Sequence, residues 1–202
     1  YEAIGLDDFG KPGNYFSRQI SRWTKQYQMS ETQTINTMNN LIDWLPNNIP
    51  DDDANSIVHG DFRLDNMVLH ADKPEVLAVL DWELSTLGHP LGDFTYHLMQ
   101  WFMPSEGAST QTLEGVDFDA LNIPDAAEYT RLYCEHTGRD SIENMDFYIA
   151  YNMFRLAGIL QGIVGRVRDG TASNEHAALM EDRVKPLSDV GWFYAQKAGA
   201  VG

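Results

Sequence analysis

The stretch His59-Gly60-Asp61-Phe62-Arg63-Leu64-Asp65-Asn66, continued by Met67 to His70, Val76 to Leu80 and then Asp81-Trp82-Glu83, decides how this chain is read. Met67 to His70 and Val76 to Leu80 have strand character, and Ala71-Asp72-Lys73-Pro74-Glu75 between them carries turn chemistry, so the pair predicts a β-hairpin. A tight loop feeding that hairpin puts Asn66 at the start of one strand and Asp81 at the end of its partner, where the two meet. Ser56-Ile57-Val58 is a short apolar entry into the loop.

Working outward, everything after Gly92 reads as helical. Helices are expected over Phe94–Trp101, Ala126–Thr137, Met145–Val167 and Ser173 to about Ala198, with Pro186 breaking or kinking the last. On the other side, residues 1–13 form an irregular lead-in. Asn14 can cap a helix to about Tyr27 carrying Phe16, Ile20, Trp23 and Tyr27 on one face. A second helix is expected from Ser30 and Glu31, with Ile35, Met38, Leu41, Ile42 and Leu45 as its apolar face and Pro46 and Pro50 as its stop. Gly158, Gly162 and Gly165 recur along one helix and read as close helix packing.

At 202 residues the chain suits one domain, or one lobe of a larger enzyme, and 43% hydrophobic with 11% aromatic residues can bury a sizeable core. A formal charge of −16 argues against nucleic acid and anionic membranes as partners. Cys134 is alone, so neither an internal disulfide nor a multi-thiolate zinc site is expected, and a reducing, cytoplasmic setting follows as the expectation. The apolar helix from Tyr148 to Val167 is interrupted by Asn152, Arg155, Gln161 and Arg166, which argues against a membrane span. The chain opens at Tyr1 without an initiator Met, so its start reads as internal to a longer polypeptide.

The chemistry lies in the loop and the hairpin's far end. His59, Asp61 and Asn66 fall on the protein-kinase catalytic-loop pattern H-R-D-L-x-x-x-N, and Asp81-Trp82 stands where Asp-Phe of the metal-binding triplet would. Phosphoryl transfer asks a protein to position the nucleophile and neutralise charge on the triphosphate. Asp61 could accept a hydrogen bond from an attacking hydroxyl; Asn66 and Asp81 offer hard oxygen ligands suited to Mg²⁺. Arg63 could stabilise the transferred phosphate, or simply pair with Asp65 or Glu83.

His59-Gly60-Asp61 with Asn66, then Leu80-Asp81-Trp82-Glu83, then Gly88-His89-Pro90-Leu91-Gly92-Asp93 resemble consecutive signatures of the aminoglycoside phosphotransferase and choline kinase group of small-molecule kinases. Within it, the wording is most similar to kinase-like domains found alone in bacteria or fused to acyl-CoA dehydrogenases. The resemblance implies a mainly α C-terminal catalytic lobe with a small β-hairpin, ATP as co-substrate, Mg²⁺, and a hydroxylated small molecule as acceptor. An aminoglycoside-like acceptor and a hydroxyacyl-CoA-like one both stay open. It also implies that Asp93 holds the catalytic loop through its backbone. With Asp61 aimed at the hydroxyl, His59 reads as a packed loop anchor rather than a base, and Glu83 as a support for Asp81 ahead of a holder of metal-bound water.

Two departures from protein kinases disfavour a polypeptide acceptor: Gly60 replaces the Arg of the kinase loop, and eleven residues between Asp81 and Asp93 leave no room for an activation segment. The family's N-terminal β lobe, with its nucleotide-clamping Lys, is not found, since none of the five lysines (Lys11, Lys25, Lys73, Lys185, Lys197) lies in an apolar strand pattern before the loop. The whole of 1–202 thus reads as one catalytic lobe: helical lead-in 1–55, loop, hairpin and metal motif 56–93, helical subdomain 94–202. By itself it is expected to be inactive, with a surface open to an N-terminal lobe or to a second copy. Two other readings are a non-catalytic kinase-like regulatory module, and a metal-dependent hydrolase with His59, Asp61 and Asp81 as ligands. His70, His89, His97, His136 and His176 show no mutual metal-ligand spacing. Arg155, charged among apolar neighbours, needs a buried partner, and pairing with an acidic residue is expected ahead of lining the cleft.

Overall fold

The computed structural model describes residues 1–52, 54–105, 112–113, 115–172 and 175–201. Its longest element, α6 (Met145–Arg168), is buried on nearly every side and forms the axis of the molecule. α1 (Tyr15–Ser30), α3 (Pro90–Leu98) and α7 (Glu181–Lys197) pack around it, and α2 (Asn36–Trp44) packs on α7. The polar residues that interrupt α6 point inward and tie it to its neighbours. Asn152 Nδ2 donates to Thr95 Oγ1 at 2.8 Å, and Gln161 Nε2 donates to the carbonyl of Ser30 at 2.7 Å. A helix apolar all round can be buried all round only if such groups find partners inside. Among the described residues, no helix is long and apolar enough to cross a membrane.

Two small antiparallel pairs carry the loop region. β1 (Ser56–Val58) pairs with β4 (Thr86–Gly88), Val58 opposite Thr86. β2 (Met67–Leu69) pairs with β3 (Val76–Val79), Met67 opposite Val79, which is the expected hairpin. The short α4 (Phe118–Leu121) and the longer α5 (Ala126–Thr137) complete the helical part.

Several boundaries differ from expectation. Ser30 ends α1 instead of starting α2: its hydroxyl bonds back to the carbonyls of Gln26 and Tyr27, and Gln161 takes its own carbonyl, so α2 begins only at Asn36. Asn14 does stand at the N-cap of α1, but in left-handed conformation and with no side-chain cap bond. α3 begins at Pro90, a turn before Phe94, because Pro suits the first helical turn and His89 Nδ1 accepts the Leu91 N–H at 3.2 Å. The last helix is preceded by a 3₁₀ stretch over Glu175–Met180 and runs continuously past Pro186, near its N-terminal end; Ser173, its expected start, lies outside the described residues. The glycines of α6 do serve close packing. A Cβ at Gly165 would stand 2.5 Å from Ser30 Cβ.

Candidate active site

The loop is shaped by contacts from three distant segments. Gly60 has φ +85°, and a Cβ there would lie 2.6 Å from the carbonyl oxygen of Leu84, so backbone conformation and space both demand glycine. Asp93, in the first turn of α3, accepts the His59 N–H at 2.5 Å and the Gly60 N–H at 2.9 Å through its two carboxylate oxygens. Burial pushes the Asp93 carboxyl up from its ordinary value, against the opposing pull of these two amides and of the Arg155 guanidinium. From α6, Arg155 Nη2 donates to the Gly60 carbonyl.

Both nitrogens of buried His59 are engaged. Nε2 bonds the Leu80 carbonyl at 2.7 Å, and Nδ1 accepts the Asp61 N–H at 3.2 Å, an arrangement that puts the ring proton on Nε2. The imidazole also packs on Trp82, with ring centroids 4.8 Å apart. His59 is therefore an anchor between the loop and the end of β3, with no nitrogen left over for a metal or a proton-transfer role.

Asp61 is half-buried, and Asn66 Nδ2 donates both to its carbonyl at 2.9 Å and to its Oδ2 at 3.1 Å. Tyr96, on α3, lies near enough to feel the Asp61 charge: burial raises its pKa first, the Arg155 guanidinium opposes, and the Asp61 charge adds to the rise. Because the Asn66 amide nitrogen is committed to Asp61, its carboxamide oxygen is the atom left for a cation. The Leu80 N–H donates to the Asn66 carbonyl at 2.8 Å, continuing the β2–β3 ladder and bringing Asp81 beside Asn66. Asp81 is exposed and adopts φ +60°, a left-handed conformation that a short polar side chain tolerates. Two hard oxygen donors at one edge suit Mg²⁺, which takes one or two protein ligands and keeps the rest of its shell for water and phosphate.

Arg63 forms an exposed ion pair with Asp65 at 2.7 Å. Glu83 is exposed and, among the described residues, makes no hydrogen bond or ion pair. Arg155 is buried but lacks the expected acidic partner: among the described residues no carboxylate comes within ion-pair distance, and Asp93 acts on it only through the field. Its guanidinium instead lies over Tyr96, 4.4 Å from the ring centroid, and over Trp23 at 5.8 Å. A charge inside an apolar helix flags Arg155 from the sequence. Nothing local flags Tyr96, whose part depends on α3 crossing under the loop.

Behind the loop, His97 packs against Phe62, Trp101 and Tyr129, and burial lowers its pKa below the ordinary 6.5. The unfolded chain therefore takes up this proton first on acidification. Stability from neutral His97 is complete above about pH 6.5 and is lost as pH falls through that value. Urea unfolding at pH 7.5 and at pH 5 should show a lower midpoint in acid, and His97→Phe should shrink the difference. An unchanged difference would remove His97 from the account.

Comparison with known proteins agrees with this geometry. The chain is 43% identical over 198 residues to mouse acyl-CoA dehydrogenase family member 10, covering 98% of this chain and 18% of that protein. It is 40% identical over 192 residues to human acyl-CoA dehydrogenase family member 11, covering 94% of this chain and 24% of that protein. It thus spans about a fifth to a quarter of the length of these relatives. A crystal structure of a candidate aminoglycoside phosphotransferase from Ralstonia eutropha superposes with a TM-score of 0.91 at 56% identity, over 98% of this chain and 60% of that one. The model of the phosphotransferase enzyme family matches residues 1–133, which hold the clamped loop, the hairpin and Asp93 together, and the chain belongs to that family.

Proposed function

We propose that this chain supplies the catalytic lobe of an ATP- and Mg²⁺-dependent kinase acting on a hydroxyl of a small molecule. The observation that carries the reading is the pair of hydrogen bonds from Asn66 Nδ2 to Asp61, with Leu80 closing the hairpin onto Asn66, which supports a base and cation ligands working side by side. Asp61 accepts the proton of the acceptor hydroxyl, and Asn66 aims its carboxylate. Asn66 and Asp81 would hold Mg²⁺, which when bound neutralises phosphate charge and orients the triphosphate. Asp93 and Arg155 hold the loop from beneath, so the position of Asp61 costs little further ordering when substrate arrives. Arg63 would have to leave Asp65 to meet a phosphate, and an exposed pair of this kind is worth only about 0–1 kcal/mol. The hydrolase reading loses support because both nitrogens of His59 are already bonded.

The test is ADP release by the full-length protein against a panel of hydroxylated metabolites, with Mg²⁺ titrated. Asn66→Ala and Asp81→Asn should each raise the Mg²⁺ concentration for half-maximal turnover by about tenfold or more. An unaltered Mg²⁺ requirement in both variants would dismiss the shared-metal assignment.

A further inference from the structure

On the face where α1 meets the C-terminal part of α6 lies a groove of 770 Å³ that contains no residue of the loop or hairpin. Arg18, Arg22, Lys25, Arg166 and Arg168 line it, with Asp169 as its one acidic lining residue. These are five of the fourteen Lys and Arg in a chain whose formal charge is −16. Chance placement on so acidic a protein would surround cations with carboxylates. Outside the groove, five of the nine Lys and Arg do have such a partner: Arg63 with Asp65, Arg131 with Glu128 and Glu135, Arg139 with Asp52, Lys185 with Asp189, and Lys197 with Asp146, while Lys11, Lys73, Arg155 and Arg183 have none among the described residues. In the groove the share is one of five among the described residues, Arg168 with Asp169 at 2.8 Å. Arg18 spends its donors on the main-chain carbonyls of Gly13 and Lys11. Arg22, Lys25 and Arg166 have no carboxylate within ion-pair distance among the described residues.

This concentration carries a cost. Arg18, Arg22 and Lys25 follow one another at four and then three residues along a single face of α1, and like charges at that spacing destabilise a helix. Arg166 and Arg168 sit at the carbonyl end of α6, where cations are favoured, but the three on α1 gain nothing of that kind. Between the helices the floor is made by Gly162 and Gly165, and a Cβ at Gly165 would stand 2.5 Å from Ser30 Cβ and 3.1 Å from its Cα. Ser21 and Gln26 add neutral polar groups to the rim.

We propose that this groove is a binding site for a small molecule bearing two or more phosphate groups, distinct from the Asp61 site. Cations converge on it from both helices, the volume falls in the range of small-ligand sites, and guanidinium groups match phosphate oxygens in bidentate fashion. A macromolecular polyanion or an anionic bilayer would also meet the surrounding carboxylates, which outnumber the cations of the whole chain by more than two to one. A compact ligand confined to the groove stays within about one Debye length, 8 Å, of the positive cluster. The proposal is independent of the kinase reading.

The test is calorimetric titration of inorganic pyrophosphate into the full-length protein at about 50 mM NaCl, with EDTA present so that the Asn66 and Asp81 edge is idle. The wild type should bind, and affinity should fall steeply with added salt. Arg22→Ala with Arg166→Ala should weaken binding by about tenfold or more, the equivalent of one lost charge-assisted contact. Lys25→Ala, at an exposed helical position, should weaken it in the same direction and serves if the double variant does not fold. Asp81→Asn and Arg131→Ala should leave it unchanged. Absence of binding at about 10 mM pyrophosphate, equal affinity in the groove variants, or loss in Asp81→Asn alone would each overturn the assignment. So would binding to phosphatidylserine vesicles without binding to pyrophosphate.

Discussion

Asp61→Asn is expected to cut turnover of the full-length protein by roughly 10²–10⁴ while the fold survives. The amide keeps the shape of the carboxylate, and its oxygen can still accept from Asn66 Nδ2, so that neighbour remains satisfied. The Asp61 N–H still reaches His59 Nδ1, and Asp93 still clamps His59 and Gly60, so the loop backbone has no reason to move. What disappears is the one group in the loop placed to accept a hydroxyl proton, since His59 has both nitrogens engaged. Thermal unfolding should shift by no more than about 1 kcal/mol in equivalent stability, the scale of one altered hydrogen bond. Steady-state ADP formation and circular dichroism on the same preparations read both effects. Near-normal turnover in a folded Asp61→Asn protein would sink the assignment of Asp61.

These 202 residues expressed alone are expected to bind MgATP at least about a hundredfold more weakly than the full-length protein, a difference of about 2.7 kcal/mol. The reason lies in the surface around Asn66 and Asp81. Leu64, Leu69, Val76, Leu77, Leu80, Trp82 and Leu84 are between 48% and 60% exposed there, on the hairpin and the turns flanking it. Apolar exposure of that kind on both faces of the hairpin and the turns beside it marks a contact region. Left uncovered, it neither shields the phosphates from water nor encloses the base, and each electrostatic contact to the triphosphate is weakened by solvent. No lysine sits in an apolar strand pattern before the loop to engage the phosphates. The same surface should drive concentration-dependent self-association, visible in sedimentation velocity and reduced by Leu77→Lys. Micromolar MgATP binding with steady ADP production by the isolated 202 residues would overturn this expectation.

Arg131 illustrates which charges matter little in such tests: fully exposed between Glu128 and Glu135, it belongs to an ordinary helical ion-pair set, and its removal should be close to silent. The groove between α1 and α6 differs because, among the described residues, four of its five cations lack that company. No one-dimensional pattern singles it out, since Arg18, Arg22 and Lys25 lie more than a hundred residues from Arg166 and Arg168.

The sequence by itself determined the elements whose signals are local. Turn chemistry over Ala71 to Glu75 between two apolar runs specifies the β2–β3 hairpin, and sustained helical periodicity specifies Ala126–Thr137 and the long helix from Met145. The spacing of His59, Asp61, Asn66 and Asp81, with the resemblance it carries, pointed to the loop and hairpin edge as the place of the proposed chemistry. Tertiary structure alone decided how those residues are held. The pairing of β1 with β4, the fit of Gly60 against Leu84, the reach of Arg155 from α6 to the Gly60 carbonyl and the approach of Tyr96 to Asp61 join segments up to 95 residues apart. Tertiary contact also moved boundaries that local signals misplaced, as when Gln161 captured the Ser30 carbonyl and left Ser30 closing α1. Periodicity and turn preference record the energy of neighbours in the chain, whereas burial of a charge or a shared hydrogen bond depends on which distant surface arrives, and only the packed fold supplies that.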